Sequence, residues 1–144
     1  MNKVEQLNQL VADLSVAYVK LHNLHWNVTG RQFKSVHEFV EEVYEDLDEQ
    51  YDEVAERIKM LGGFPAASVK KYLEMTKIEE LPDEDVATED VYQILLDTLK
   101  YLRDLATDAR NTADEEGDFS TVAMLEDAVA VYDKHVWFIE QALK

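Results

Sequence analysis

His25, His37, Glu41, Asp52 and Glu56 are the residues of this chain whose types and spacing suggest chemistry. Imidazole nitrogen combined with carboxylate oxygen is a donor set for iron, manganese or zinc. Four of the five lie in one segment that reads as a long helix. At 100° per residue, His37, Glu41, Asp52 and Glu56 point to roughly 0°, 40°, 60° and 100°, one flank next to the apolar stripe. Yet Glu41 and Asp52 are eleven residues apart, about 16 Å along a helix axis, so one straight helix cannot bring all four to a single ion. If two copies of the helix pack antiparallel across a two-fold axis at the level of Asp46 and Leu47, the His37/Glu41 pair of one chain meets the Asp52/Glu56 pair of its mate. That arrangement yields two equivalent sites per dimer, and His25 on the preceding helix can complete each.

Simpler readings compete with each piece. A single histidine on an apolar stripe, such as His25, is commonly a hydrogen-bonded core residue. His22, three residues before it, reads either as a support for the site or as a surface residue, and His135, next to Lys134, is expected at the surface. Trp26 and Trp137 read as packing residues. Between Ser35 and Glu56 stand ten acidic residues and no Lys or Arg, with Glu41, Glu45, Glu49 and Glu53 in a row at spacing four. Like charges at that spacing repel by a few tenths of a kcal/mol per pair, so something beyond the helix must offset them, either basic side chains elsewhere in the chain or bound cations. Other chemistry lacks its motifs. The sequence has no glycine-rich phosphate loop, Gly-x-Ser-x-Gly elbow, His-Glu-x-x-His or Glu-x-x-His pair, which disfavours a di-iron centre within one chain.

The elements that must position these residues read as helices. Val4, Leu7, Val11, Leu14, Tyr18, Leu21, His25 and Val28 alternate spacings of three and four, one stripe of a first helix. A second is expected to start with a capping box at Ser35-Val36-His37-Glu38 and carries Val36, Val40, Val43, Leu47, Tyr51, Val54, Ile58 and Leu61 inward. The pattern then weakens through a connector from Gly63 to Thr88 holding both prolines, in which Ser68 can cap a short helix over Val69-Lys70-Lys71-Tyr72-Leu73. Thr88 is the expected cap of a third helix, with Val91, Ile94, Leu95, Leu99, Leu102, Leu105, Ala106 and Ala109 inward. A fourth, after Asp118 to Ser120, carries Val122, Leu125, Val129, Tyr132, Val136, Ile139 and Leu143. Gly30, Gly62-Gly63 and Gly117 mark the stops. Two tight turns and one long crossover suit an all-α four-helix bundle of the ferritin-like connectivity, a single domain over residues 1–144.

Composition narrows the partners. The chain has 144 residues, net charge −17, 47% hydrophobic residues and no cysteine. Such apolar content can form a core, while no apolar run approaches the roughly 20 residues of a membrane span. With no secretory signal pattern at the start and no thiols, a cytoplasmic protein is expected. The acidity repels nucleic-acid phosphate and attracts cations.

Several stretches together resemble the Dps (DNA-protection-during-starvation) family of mini-ferritins: Leu21-His22-Asn23-Leu24-His25-Trp26-Asn27-Val28-Thr29-Gly30, Val36-His37-Glu38, Asp52-Glu53-Val54-Ala55-Glu56-Arg57-Ile58, Leu61-Gly62-Gly63, Gly117-Asp118 and Asp133-Lys134-His135-Val136-Trp137. The resemblance covers nearly the whole chain. It implies a hollow shell of twelve subunits that oxidises Fe²⁺, with H₂O₂ preferred to O₂, and stores the ferric mineral. It places ferroxidase centres at the two-fold interface, with room for two irons, taking His25, His37 and Glu41 from one chain and Asp52 and Glu56 from the other. Glu41 departs from the family pattern, where many members carry Asp. Trp26 corresponds to a tryptophan beside the centre that can donate electrons. Asp118, with Glu126 or Asp127, resembles the acidic pore lining, and Glu38, Glu42 and Glu45 are candidates to nucleate mineral. Arg57 is expected to orient Glu56 through a salt bridge. The family's DNA binders often use a basic terminal tail, which this chain lacks, so no direct DNA binding is expected. The alternative is a non-catalytic acidic helical scaffold, or a shell that sequesters cations without oxidising them.

Overall fold

In the computed structural model, which describes all 144 residues, the apolar stripes close on one another as five helices and one two-residue strand pair. Helix α1 spans Lys3–Asn27, α2 Phe33–Met60, α3 Val69–Met75, α4 Thr88–Glu115 and α5 Phe119–Ala142, with β1 at Val28–Thr29 and β2 at Val86–Ala87. The most extensive packing joins α1 to α2 and α4 to α5, the two pairs linked by short turns, and α1 also lies against α4. β1 and β2 run parallel, with Val28 opposite Val86 and Thr29 opposite Ala87. This pairing ties the end of the crossover to the α1–α2 turn, so the crossover carries the chain back along the bundle and α4 starts beside the start of α2. The architecture is the all-α, ferritin-like four-helix bundle with a short helix in its crossover.

The stripes account for the core. Leu7, Leu14, Leu21, Val36, Val43, Ile58, Leu95, Leu102, Leu125 and Ile139 are fully buried, each contributing about 1.5–3 kcal/mol over an exposed position. The glycine stops behave as C-terminal caps. Gly62 and Gly117 have φ of +87° and +71°, and the residue after each closes a hydrogen bond five residues back, Gly63 N–H to the Ile58 carbonyl and Asp118 N–H to that of Ala113. Ser68 caps α3 by accepting from the Lys71 amide, as its position suggested.

Two helix starts differ from expectation. The Ser35 capping box is not used: α2 begins at Phe33 after Gln32, whose left-handed φ of 62° turns the chain into the helix early and leaves Ser35 inside the first turn. Glu38 instead faces Lys34, 3.7 Å away. Thr88 is the first residue of α4 and not its cap, because the extended Ala87 is held in the strand pair.

Two acids, one buried and one largely enclosed, anchor the crossover and the lower end of the bundle. Asp13, fully buried on α1, accepts hydrogen bonds from the Tyr101 hydroxyl at 2.5 Å, the Thr76 hydroxyl and Lys77 amide at 2.8 Å each, and Gln9 at 3.1 Å. It thereby ties the crossover and α4 to α1. Asp118, the N-cap of α5, accepts from the Thr121 amide and hydroxyl, Arg57 at 2.8 Å and Lys3 at 2.9 Å. Arg57 also donates to Thr121, so it braces the α4–α5 turn and does not orient Glu56. Asp118 in turn sits inside this network, with only 11% of its side chain exposed, and serves the chain as the cap of α5.

Burial disfavours the Asp118 charge, but the hydrogen bonds from Thr121 and Lys3 and the Arg57 charge outweigh it and hold its carboxyl well below the usual range. A depressed native pKa contributes stability that is complete above the unfolded value near 3.8 and is lost as pH falls through the native one. Asp118→Asn is therefore expected to lower stability by about 2 kcal/mol at pH 7, with the difference from wild type shrinking below pH 4. Thermal denaturation of both proteins from pH 7 to pH 2 measures this, and a difference independent of pH would contradict it.

Candidate metal centre

His25 lies in the last turn of α1 and His37 in the second turn of α2, where the two helices meet at their shared turn. Each histidine is held by the other's backbone. His25 Nδ1 donates to the His37 carbonyl at 2.7 Å, and His37 Nδ1 donates to the His25 carbonyl at 2.6 Å. A carbonyl only accepts, so both hydrogens must reside on Nδ1, and in the neutral ring each Nε2 keeps its lone pair for a ligand. The His25 carbonyl is among the unpaired last carbonyls of α1, which the His37 ring thus satisfies. The rings stack at 3.6 Å with 14° between planes, and Phe33 stacks on the far face of His37 at 5.3 Å. His25 is 6% exposed, so its core position and its role as a potential donor coexist.

Glu41 completes this group. Its Oε1 lies 3.7 Å from His25 Nε2 and accepts from the Tyr44 hydroxyl at 3.3 Å. Two acceptors facing each other are unfavourable unless a cation or a proton lies between them. The C-terminus of α1 adds a negative field at the same place. Tyr44 was not singled out in the sequence, although its position three residues after Glu41 on a helix is the signal that could have found it. Burial, the Glu41 charge and this hydrogen bond all raise the Tyr44 phenol above its usual pKa, keeping it a donor. His22, the half-buried residue with two readings, stacks on Tyr44 at 3.9 Å and approaches Trp26 at 5.4 Å.

Asp52 and Glu56 form a separate pair further along α2. Both are exposed. A hydrogen bond that the protonated Glu56 donates to Asp52, and then the Asp52 charge, raise the Glu56 carboxyl above its usual value, as expected of two carboxylates competing for one proton. Such a pair is suited to a divalent cation. The chain thus stacks His25 on His37 with Glu41 beside His25, and sets Asp52 with Glu56 at another place. Within one chain no three donors close on a common point.

The surroundings differ from expectation at the tryptophans and at His135. Trp26 and Trp137 do not pack into the core but are 69% and 58% exposed. His135 is not at the surface: it is 6% exposed, with Nε2 2.6 Å from Asp46 and Phe39 edge-on at 5.7 Å, joining α5 to α2. The acidic row finds no basic partner in its own chain, since no Lys or Arg pairs with Glu45, Glu49 or Glu53 and Glu41 faces only His25.

The sequence profile of the ferritin-like domain matches residues 4–144. The DNA protection during starvation protein of Helicobacter pylori is 35% identical over 143 residues, covering 99% of both chains, and that of Listeria innocua is 39% identical over 140 residues, covering 96% of this chain and 90% of that one. The chain belongs to the Dps family of ferritin-like proteins. Among solved structures, antigen TpF1 from Treponema pallidum superposes with a TM-score of 0.97 at 35% identity, covering 99% of this chain and 91% of the other. A Dps protein from Bacillus brevis superposes at 0.93 and 36%, covering 99% and 95%. The family carries with it iron storage and oxidation as a general role.

If the upper group binds metal, replacing either histidine removes a neutral nitrogen donor. His25→Ala and His37→Ala are each expected to weaken Zn²⁺ binding at least about tenfold. Calorimetry on the assembled protein tests this, and unchanged isotherms in both variants would exclude the pair as ligands.

Proposed function

We propose that this Dps-family chain, a single ferritin-like domain over residues 1–144, oxidises Fe²⁺ at centres shared between two-fold-related subunits and stores the product within a dodecameric shell. The observation that carries this reading is the division of donors. Two ends of one helix hold complementary half-sites that an antiparallel copy would unite, since His37 with Glu56 and Glu41 with Asp52 share the same midpoint. Leu47 itself faces the chain's own core, so it gives the level of the axis and not its contact surface. The exposed Trp26 and the half-exposed Phe33 next to the upper half-site are apolar surface for a mate to cover.

In this reading iron is the substrate. The Nε2 atoms of His25 and His37 retain the ferrous ion, and the carboxylates of Glu41, Asp52 and Glu56 favour the ferric product. Two Fe²⁺ with one H₂O₂ and two protons give two Fe³⁺ and two waters, so the peroxide bond breaks by a paired transfer and no hydroxyl radical is released. In the same reading Trp26, which meets His22 at 5.4 Å, supplies an electron when only one iron is present. Glu38, Glu42 and Glu45 are exposed acids available to nucleate mineral. A cytoplasmic location goes with the reading. No helix is long and apolar enough to cross a membrane.

Subunit mixing tests the shared site. His25→Ala/His37→Ala chains and Asp52→Ala/Glu56→Ala chains are each expected to lose rapid anaerobic oxidation of Fe²⁺ by H₂O₂. Co-refolding them in equal amounts restores one intact site per mixed dimer, about a quarter of wild-type capacity. A site within one chain would restore none, and full rates in the parent variants would leave the scaffold or sequestering shell.

The acidity of the shell also disfavours direct DNA binding. With −17 per subunit, phosphate is repelled. Gel shifts at low salt with magnesium chelated are expected to show free DNA at micromolar protein, and retarded complexes would refute the point.

A further inference from the structure

We propose that Tyr44 is a positioning residue for the metal centre, holding the Glu41 carboxylate beside His25 Nε2, where the two would share an incoming ion. The inference rests on the reading of His25, His37 and Glu41 as ligands. Glutamate reaches farther than aspartate and adds a rotatable bond, and the Glu41 side chain is 48% exposed with no cation partner apart from His25. Left free, it would sample solvent and lose entropy on every binding event. Tyr44 removes that freedom. Its hydroxyl donates to Oε1 at 3.3 Å, the same oxygen that stands 3.7 Å from His25 Nε2, leaving Oε2 unengaged.

Tyr44 can act this way because it is itself held. His22 stacks on its ring at 3.9 Å, Tyr18 meets it edge-on at 5.6 Å, and His25 lies edge-on at 5.4 Å. His22 is fixed in turn by donating Nδ1–H to the Tyr18 carbonyl at 2.8 Å. Three positions of α1 spaced three or four apart thus form a wall against which one side chain of α2 is locked. A phenol whose only side-chain hydrogen bond goes to a candidate ligand, and whose ring is clamped from α1, is built to orient that ligand more than to fill space.

Co²⁺ binding to the assembled protein tests this, read by calorimetry and by the visible absorption of the bound ion. Tyr44→Phe keeps the ring and is expected to weaken Co²⁺ binding about tenfold and to change the absorption envelope. In a Glu41→Ala background the same change is expected to have less than about a twofold effect, since the group it orients is gone. Equal weakening in both backgrounds, or none in either, overturns the proposal and leaves Tyr44 a packing residue. If wild-type Co²⁺ binding is itself insensitive to His25→Ala/Asp52→Ala, the proposed centre falls and this inference with it. Normal binding that ignores Tyr44→Phe removes the inference alone.

Discussion

A helix rises about 1.5 Å per residue and does not fold back, and that constraint organises everything this chain can do with its donors. α2 is 28 residues long and carries Glu41 and Asp52 on one flank. Its stiffness keeps the two half-sites apart as firmly as it keeps each of them ordered. Shortening or kinking α2 to unite them would destroy the stripe from Val36 to Ile58 that the bundle buries. The economical solution is a second copy of the helix, which is why the proposed chemistry belongs to an assembly and not to a chain.

The upper half-site shows how backbone and side chain share a task. The turn from Val28 to Gln32 is short, and the β1–β2 pairing fixes it to the crossover. This brings the unpaired His25 carbonyl at the end of α1 against the first turns of α2, where the His37 imidazole satisfies it while the His25 imidazole donates in return to the His37 carbonyl within α2. The hydrogen bonds that complete the helix end also choose the tautomer. Structural satisfaction and ligand readiness are therefore one arrangement, and a change to either histidine disturbs both.

Charge is distributed along the same logic. Where acids serve the fold they are enclosed and saturated with donors, as the buried Asp13 and the partly buried Asp118 are. Where they have no partner in the chain, as along Glu45, Glu49 and Glu53, they stay exposed on α2. The two classes cannot be separated by residue type. Asp118 and Asp52 are both aspartates on helical segments near glutamates, yet one is enclosed by Lys3, Arg57 and Thr121 and the other meets only Glu56.

Periodicity determined the helices, most of their inward faces and the long crossover, because a 3.6-residue repeat and glycine stops are local properties of the chain, while at the helix ends Val28 passes into β1 and Leu143 is exposed beyond α5. The same arithmetic showed that one α2 could not close a site. Several things were decided only by tertiary structure: the early start of α2 at a left-handed Gln32, the burial of His135 against Asp46, the turn of Arg57 away from Glu56 to Asp118, and the clamp on Tyr44. Each depends on which distant segment arrives alongside. A hydrogen bond between residues 61 or 89 positions apart leaves no periodic trace in the sequence.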